Sequence, residues 1–505
     1  MMLALLVVSL LALAGAIRSL AFVLAPEGAG VDHWFWKAYV ETYRRNRVFP
    51  PVLPQYILDE QQWYPPLFPM FLARLPHRLF DSYNHVIAIV VDLTRMVVLL
   101  AVAAWQSDGS LTVIAVAGLI YATIPIQTSY NIQLNPRGLG AIMLDVLLIT
   151  LLIAMTTPDA WWAWATIVAL GGLILLTHKM TTQLLIFVIV CTAIVYARPA
   201  LILLLPAWFA AAMALSRGFY WKVLVAHVDI VRFWNRNWRW IGADPLRESP
   251  IYGDGKYERA AKLHKSGLRG VLWHAFIMFG FNPAAWIACL LVYERLSPRS
   301  PALLIYPTPL LFWLLLPCVW AILTSLVGPL KQFGAGYLYV YNTSTMASLV
   351  LALTFQYTRA PVISMALVTL AILLNTIGVA IYYWQFVRSP RTRVDVGLDH
   401  MLEQLKALPD GVVMCVPVNW CEVVAYKSGH PVLWGGHGYG FERLQPTWPR
   451  MLTPIKEVVA RHGVRYLLTM EGMLPESFIA DLPAAKTVTH EQYRLYCFGD
   501  AGGYN

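Results

Sequence analysis

The 505-residue chain has little charge: only 13% of its residues are Asp, Glu, Lys or Arg. A soluble protein of ordinary composition carries about a quarter, so an ordinary soluble enzyme is excluded. Cysteine is scarce too. Cys191, Cys289 and Cys318 lie in apolar segments, where the thiol behaves as a small hydrophobe. Cys415, Cys421 and Cys497 match no zinc spacing, and a disulfide among them stays open. There is no solenoid-type repeat and no low-complexity tract. Strictly alternating segments of about ten residues are missing as well, which excludes a membrane β-barrel. No basic stretch precedes the first apolar segment, and no small-residue cleavage site follows it. Residues 1–24 therefore read as a retained membrane helix rather than a cleaved signal peptide.

What the chain does have is hydrophobicity, 58% of residues and a mean hydropathy of +0.57. Apolar runs of roughly 18 residues, enough to cross a ~30 Å hydrocarbon layer, recur along most of its length. After the first come runs at 86–105, 111–126, 139–155, 160–176, 184–196, 201–215, 271–293, 303–326, 337–355 and 362–386. The expected fold is a polytopic α-helical membrane protein of about eleven spans. It divides into a transmembrane domain (1–387) and a soluble α/β domain (388–505). Within the first lie an external loop at 25–83 and a basic external loop at 216–270. An odd number of spans puts both loops and the C-terminal domain on one side.

The last part alternates helix and strand patterns. Helical spacing at 399–408 ends in the turn Pro409–Asp410–Gly411. Helices at 421–428 and 454–462 are closed by Gly429 and Gly463. Strands are expected at 412–418, 432–434, 464–469 and 494–498. The net charge of +10 must sit in loops and suggests phosphate or anionic-lipid partners. Nucleic acid is not expected: no binding module appears, and the basic residues flank membrane segments.

Asp32 and His33 stand where the chain leaves the first membrane helix. Trp36, Tyr39, Val40 and Tyr43 follow at helical spacing, with Lys37, Arg44, Arg45 and Arg47 among them. This is an amphipathic helix for the membrane surface. The loop runs on through Pro50, Pro51 and Pro54, and Pro65, Pro66 and Pro69 then break regular helix and fix the path. A carboxylate so placed can take a proton from an attacking hydroxyl; its bland alternative is a helix-capping or interfacial acid. His33 is either interfacial packing or a substrate or metal contact. Asp59 and Glu60 are either solvated loop acids or acceptor or metal contacts.

A first membrane helix, an Asp at its outer end, juxtamembrane helices and the segment YPPL (Tyr64, Pro65, Pro66, Leu67) together resemble the GT-C class of glycosyltransferases. The nearest in style are the protein O-mannosyltransferases and the lipid A aminoarabinose transferase. The motifs cover residues 1–75; the rest is similar in architecture only. The resemblance implies transfer of a sugar from a polyprenyl-phosphate donor to a lipid, polysaccharide or protein acceptor, with Asp32 as general base and inversion at the sugar. It also implies a plasma or inner membrane protein whose active site and C-terminal domain face outward. The positive-inside rule would put the Arg-rich side in the cytoplasm, but long loops obey that rule poorly. One departure stands out. Some relatives carry Lys directly before Pro-Pro, where it meets the donor phosphate, and this chain carries Tyr64. Tyr64 is kept as a substrate contact, and the phosphate must be met elsewhere.

Three polar breaks on the same side supply candidates. The first is SYNIQLNPRGLG (129–140). Arg137 suits a phosphate bidentately, against simple headgroup anchoring, and Tyr130, Asn131, Gln133 and Asn135 could meet sugar hydroxyls. That break holds no second acid; Asp145, in the next span, is expected to be buried and hydrogen-bonded. The second is THKMTTQ (177–183), where His178 and Lys179 face donor phosphate or Lys179 merely snorkels. The third holds Lys331, beside Gly334 and Gly336, which would let the backbone approach a ligand. The substrate-binding expectation is thus His33, Tyr64, Tyr130, Arg137, His178, Lys179 and Lys331.

Asp92 and Arg95 lie three residues apart in one span and are expected to pair with each other. VRFWNRNWRW (231–240) would grip headgroups or a lipid-linked acceptor, or serve as plain anchoring. VLWGGHGYG (432–440) lacks both the Walker and the dinucleotide spacing and is expected to pack as a loop. No cofactor is assigned. A divalent metal stays open, because Asp32 and His33 could contribute ligands to one. Two other function classes compete: a transporter or lipid flippase, and a non-catalytic scaffold for envelope assembly. Against the transporter, no inverted internal repeat is visible.

Overall fold

The computed structural model describes residues 1–24, 30–53, 61–157, 159–237, 267–296, 308–358, 361–388, 396–435, 440–445, 447, 451–474 and 476–499. Among the described residues six helices are long and apolar enough to cross a membrane: Met2–Val23, Val86–Gln106, Arg137–Thr156, Pro309–Leu326, Gly336–Tyr357 and Pro361–Arg388. A further pair, Val271–Phe281 and Pro283–Leu291, is bent by 97°. The bend has a local cause. Pro283 has no N–H to continue a helix. Buried Asn282 caps the second half by accepting from the Ala285 N–H (3.2 Å), while its amide donates to the Thr343 hydroxyl (2.9 Å). Four shorter apolar helices complete the set: Leu111–Thr123, Trp161–Leu175, Lys179–Val195 and Pro199–Leu215. The protein is an integral, multi-pass membrane protein. A count of about eleven requires the bent pair and all four short helices to cross as well.

Two compact units emerge, and they cut the chain differently from a simple division near residue 387. The first unit comprises Met1–Gly28, Pro76–Trp221 and Leu272–Thr392; the second comprises Ala29–Leu75, Lys222–Val271 and Arg393–Asn505.

In the first unit Arg18, Asp92, Arg95 and Asp145, all inside helices, are closed into two buried ion pairs. Asp92 and Arg95 do not pair with each other. Arg18 donates from Nε to Asp92 (2.5 Å) and from Nη1 to the Ala122 carbonyl (2.6 Å), and the Tyr121 hydroxyl donates to the other Asp92 oxygen (2.7 Å). Arg95 instead forks onto Asp145 (2.6 and 3.3 Å) and donates to the Tyr341 carbonyl (3.1 Å). Asp145, buried as expected, also accepts from Thr345 (2.6 Å). The reason is geometric. Neighbours three apart on a helix rarely present a bidentate fork, whereas a facing helix does, and a buried ion needs every lone pair and N–H satisfied.

In the second unit, Val31–Asn46 and Leu67–Arg74 form helices. Pro66 precedes the latter and Pro69 lies in its first turn, where proline needs no N–H partner. Proline therefore starts this helix rather than breaking it. The C-terminal region builds a four-stranded sheet from β1 (Val412–Val416), β2 (Val464–Met470), β3 (Ala485–His490) and β4 (Tyr493–Phe498). The strand order is β1-β2-β4-β3, with β1 and β2 parallel and the other pairs antiparallel. Helix Val396–Lys406 packs through Leu398, Met401, Leu402 and Leu405, the one-face spacing of 3.6 residues per turn. The helices Cys421–Ser428 and Ile455–His462 end on Gly429 and Gly463 in the left-handed conformation. At 432–434 there is only an isolated bridge, Val413 to Val432, in place of a strand. The basic stretch opens with a helix, Phe219–Arg236, rather than a loop.

Candidate functional site

Within the first unit, three of the polar breaks meet. Helix Pro125–Tyr130 starts on a proline and ends at Asn131. Asn135 then caps the next helix, its side-chain oxygen accepting from the Arg137 backbone N–H (2.8 Å). Arg137 is thereby fixed as the first residue of helix Arg137–Thr156. Its side chain is 5% exposed, with the guanidinium 4.6 Å from the centre of the Tyr130 ring and 6.0 Å from that of Tyr341. Among the described residues neither Nε nor Nη1 of Arg137 has a hydrogen-bond partner. A helix N-terminus adds partial positive charge at the same place.

Gly140, one turn on, sets the neighbour. A Cβ there would lie 2.8 Å from the Thr181 hydroxyl and 3.3 Å from the His178 Cβ, so glycine lets this helix close on the start of Lys179–Val195. His178 caps that second helix: Nδ1 accepts from the Thr181 N–H (3.4 Å) and lies 2.9 Å from the Thr181 hydroxyl. His178 is buried and Lys179 is half-buried. The third break joins through Tyr339, whose hydroxyl is 2.7 Å from both the Gln183 side-chain oxygen and the Phe333 carbonyl. Lys331 lies in the short helical turn Gly328–Phe333. Half-burial lowers its pKa below the ordinary lysine value. Gly334 and Gly336 also let protein groups pack closely. A Cβ on Gly336 would fall 2.0 Å from the Ala321 carbonyl, and one on Gly334 3.0 Å from the Met180 methyl.

In the second unit, Asp32 is half-exposed in the first turn of Val31–Asn46, with Gly30 at the N-cap. An acid there is favoured by the helix dipole. His33 is fully buried, its ring edge-on to Trp34 with centroids 5.2 Å apart. Tyr64 is buried edge-on against Trp36 at 4.8 Å, so its ring helps hold helix Leu67–Arg74 to the Asp32 helix. The Asp32 helix is also fastened to Cys421–Ser428. Trp34 and Tyr426 pack at 5.5 Å, Lys37 lies over both rings (5.1 and 5.0 Å), and Lys427 lies over Trp34 (5.2 Å) while pairing with Asp399 (2.8 Å). Asp59 and Glu60, residues 238–240 of the basic stretch and 436–439 of the glycine-rich loop lie outside the described residues.

Reading the sequence missed Thr128. It is 1% exposed, and its hydroxyl has no partner among the described residues. A threonine one residue ahead of the polar break carries no signal that would have marked it. Among the described residues no group of three His, Cys, Asp or Glu is arranged to hold a metal ion.

This arrangement of membrane helices followed by a mixed α/β region is the fold of GT-C membrane proteins, and the resemblance noted in the sequence holds at the level of fold. The apo Archaeoglobus fulgidus oligosaccharyltransferase superposes with a TM-score of 0.57 at 12% identity, covering 92% of this chain and 69% of that one. ArnT from Cupriavidus metallidurans bound to undecaprenyl phosphate gives 0.55 at 12% identity, covering 97% of both chains. No protein-family model and no curated protein matches the sequence.

Proposed function

We propose that this chain is a glycosyltransferase that moves a sugar from a polyprenyl-phosphate donor to a lipid, polysaccharide or protein acceptor at the outer face of the membrane. The observation that carries the reading is Arg137: a buried guanidinium with two N–H edges unengaged among the described residues. Burying such a cation alone is costly. A phosphate oxygen pair restores what is missing, matching the planar fork in charge and geometry. The Tyr130 ring holds the guanidinium by a cation–π contact and keeps it aimed. Lys179 and Lys331 add positive charge from the adjoining segments. Shared fold supports the class: the ArnT structure binds undecaprenyl phosphate, and a second oligosaccharyltransferase structure (TM-score 0.53) is tethered to an acceptor peptide.

The chemistry is a displacement at the anomeric carbon. Asp32 accepts the proton of the acceptor hydroxyl as its oxygen bonds to that carbon. The bond from carbon to phosphate oxygen breaks, and the polyprenyl phosphate leaves with its added charge facing Arg137. The test is Asp32→Asn in protein reconstituted with a synthetic polyprenyl-phosphate sugar. Transfer should fall by about 10²–10⁴-fold, the range for loss of a general base, while the melting temperature and the affinity for undecaprenyl phosphate stay unchanged. Undiminished transfer by that variant overturns the assignment.

A further inference from the structure

Resting on the reading of Arg137 as the phosphate site, we propose that Thr128 and Asn131 hold hydroxyl groups of the sugar being transferred. They form a polyol subsite within the same chain segment as the phosphate cation.

Six polar side chains between 127 and 137 fall into two sets. Three are committed within the protein. Gln127 is hydrogen-bonded to the Ser344 hydroxyl (2.8 Å), Ser129 donates to the Ile126 carbonyl (3.2 Å), and Asn135 caps the Arg137 helix (2.8 Å). Three have spare donors among the described residues: the Thr128 hydroxyl, the Asn131 amide nitrogen and the Arg137 guanidinium, at 1%, 5% and 5% exposure. Buried polar groups without partners are rare, and each calls for an explanation.

Thr128 departs from the habit of this protein. The hydroxyls of Thr94, Thr123, Thr150 and Thr192 all donate to the carbonyl four residues back, at 2.7–2.9 Å. Thr128 lies in a helix and makes no such bond. Asn131 retains helical backbone angles as the cap of that helix. Residues three apart on a helix share one face, so Thr128 and Asn131 form a neutral pair on one side. Arg137 rests on the ring of Tyr130, beside Asn131.

The chemistry of the two sets of donors differs in a useful way. A guanidinium selects an anion. A threonine hydroxyl and an amide select neutral groups that both donate and accept, as sugar hydroxyls do. Placed in one link, they fit a ligand that is a phosphate at one end and a polyol at the other. The arrangement also resolves the open choice among the asparagines of this break: Asn131 has a donor to offer, and Asn135 is committed to the cap.

The experiment compares two probes on nanodisc-embedded full-length protein: bare undecaprenyl phosphate and undecaprenyl phosphate carrying a hexose, with a pentose-linked probe in parallel. Thr128→Val and Asn131→Ala should bind the bare phosphate like the parent and bind a sugar-linked probe about ten-fold more weakly, a single hydrogen bond each. Thr128→Val should melt no lower than the parent, because no protein hydrogen bond is lost. Equal affinity of the variants and the parent for every sugar-linked probe would overturn the subsite, leaving water as the partner. Equal weakening of bare and sugar-linked probes would overturn it too, as a packing effect. Arg137→Ala separates this from the underlying reading. It should weaken all probes, and if it weakens none the phosphate assignment itself is wrong.

Discussion

Two groups of buried polar side chains lie in the first unit, and they are built oppositely. Around Arg18, Asp92, Arg95 and Asp145 every charge meets its opposite, and backbone carbonyls take the remaining N–H groups. Around Thr128, Asn131 and Arg137 the donors outnumber the acceptors that reach them among the described residues. Burial alone therefore does not mark a site. A closed network rigidifies the helices that carry it. An open one at equal depth leaves donors that a ligand or water can complete.

The sharpest way to test that contrast is to open the closed network. Asp145→Ala leaves the Arg95 guanidinium buried without its carboxylate, and removing one partner of a buried pair costs about 3–5 kcal/mol. Thermal unfolding in detergent should drop accordingly, with little folded protein recovered. Arg95→Met, which removes the charge along with its partner's need for it only in combination with Asp145→Leu, should in that double variant recover most of the loss. A single Asp145→Ala variant that melts like the parent would erase the distinction between the two groups.

The matching change in the open group should do the reverse. Arg137→Lys keeps the charge and removes the fork. Its melting temperature should stay at or above that of the parent, because neither Nε nor Nη1 has a protein hydrogen bond to lose among the described residues and an ammonium can keep the contact with the Tyr130 ring. Affinity for undecaprenyl phosphate, read by titration, should fall about ten-fold, since a bidentate charge-assisted pair becomes a point contact. A variant that melts far below the parent while binding normally would move Arg137 into the structural group.

How much of this was legible beforehand follows from range. The helix stops at Gly429 and Gly463 were legible because a left-handed cap is a one-residue decision. The helix after Asp32 was legible from its spacing. The pairing of Asp92 was not, because its partner, Arg18, is 74 residues away and nothing local names it. Nearness in sequence suggested Arg95 and misled. β3 was missed because its sequence, AKTVTH, is mostly polar and half-exposed, as suits the edge of a sheet. At the candidate site the residue types in 129–140 pointed to Arg137. Which of the neighbouring amides is already engaged is decided by packing alone.

The smallest effect concerns Lys331, which belongs to neither group because it is only half-buried. Burial disfavours its ammonium form, so its pKa lies below the ordinary lysine value. The sign follows directly. Below that lowered pKa the charge is present and attracts the donor phosphate; as pH rises through it, the charge is lost earlier than for an exposed lysine. Affinity for undecaprenyl phosphate should therefore weaken on the alkaline side by roughly five-fold, the ~1 kcal/mol expected of a partly exposed cation. Lys331→Arg, charged throughout, should flatten that limb, and Lys331→Gln should bind at every pH as the parent does at its alkaline end. An alkaline limb that survives in Lys331→Gln would assign the titration to another group and leave Arg137 as the principal cation for the phosphate.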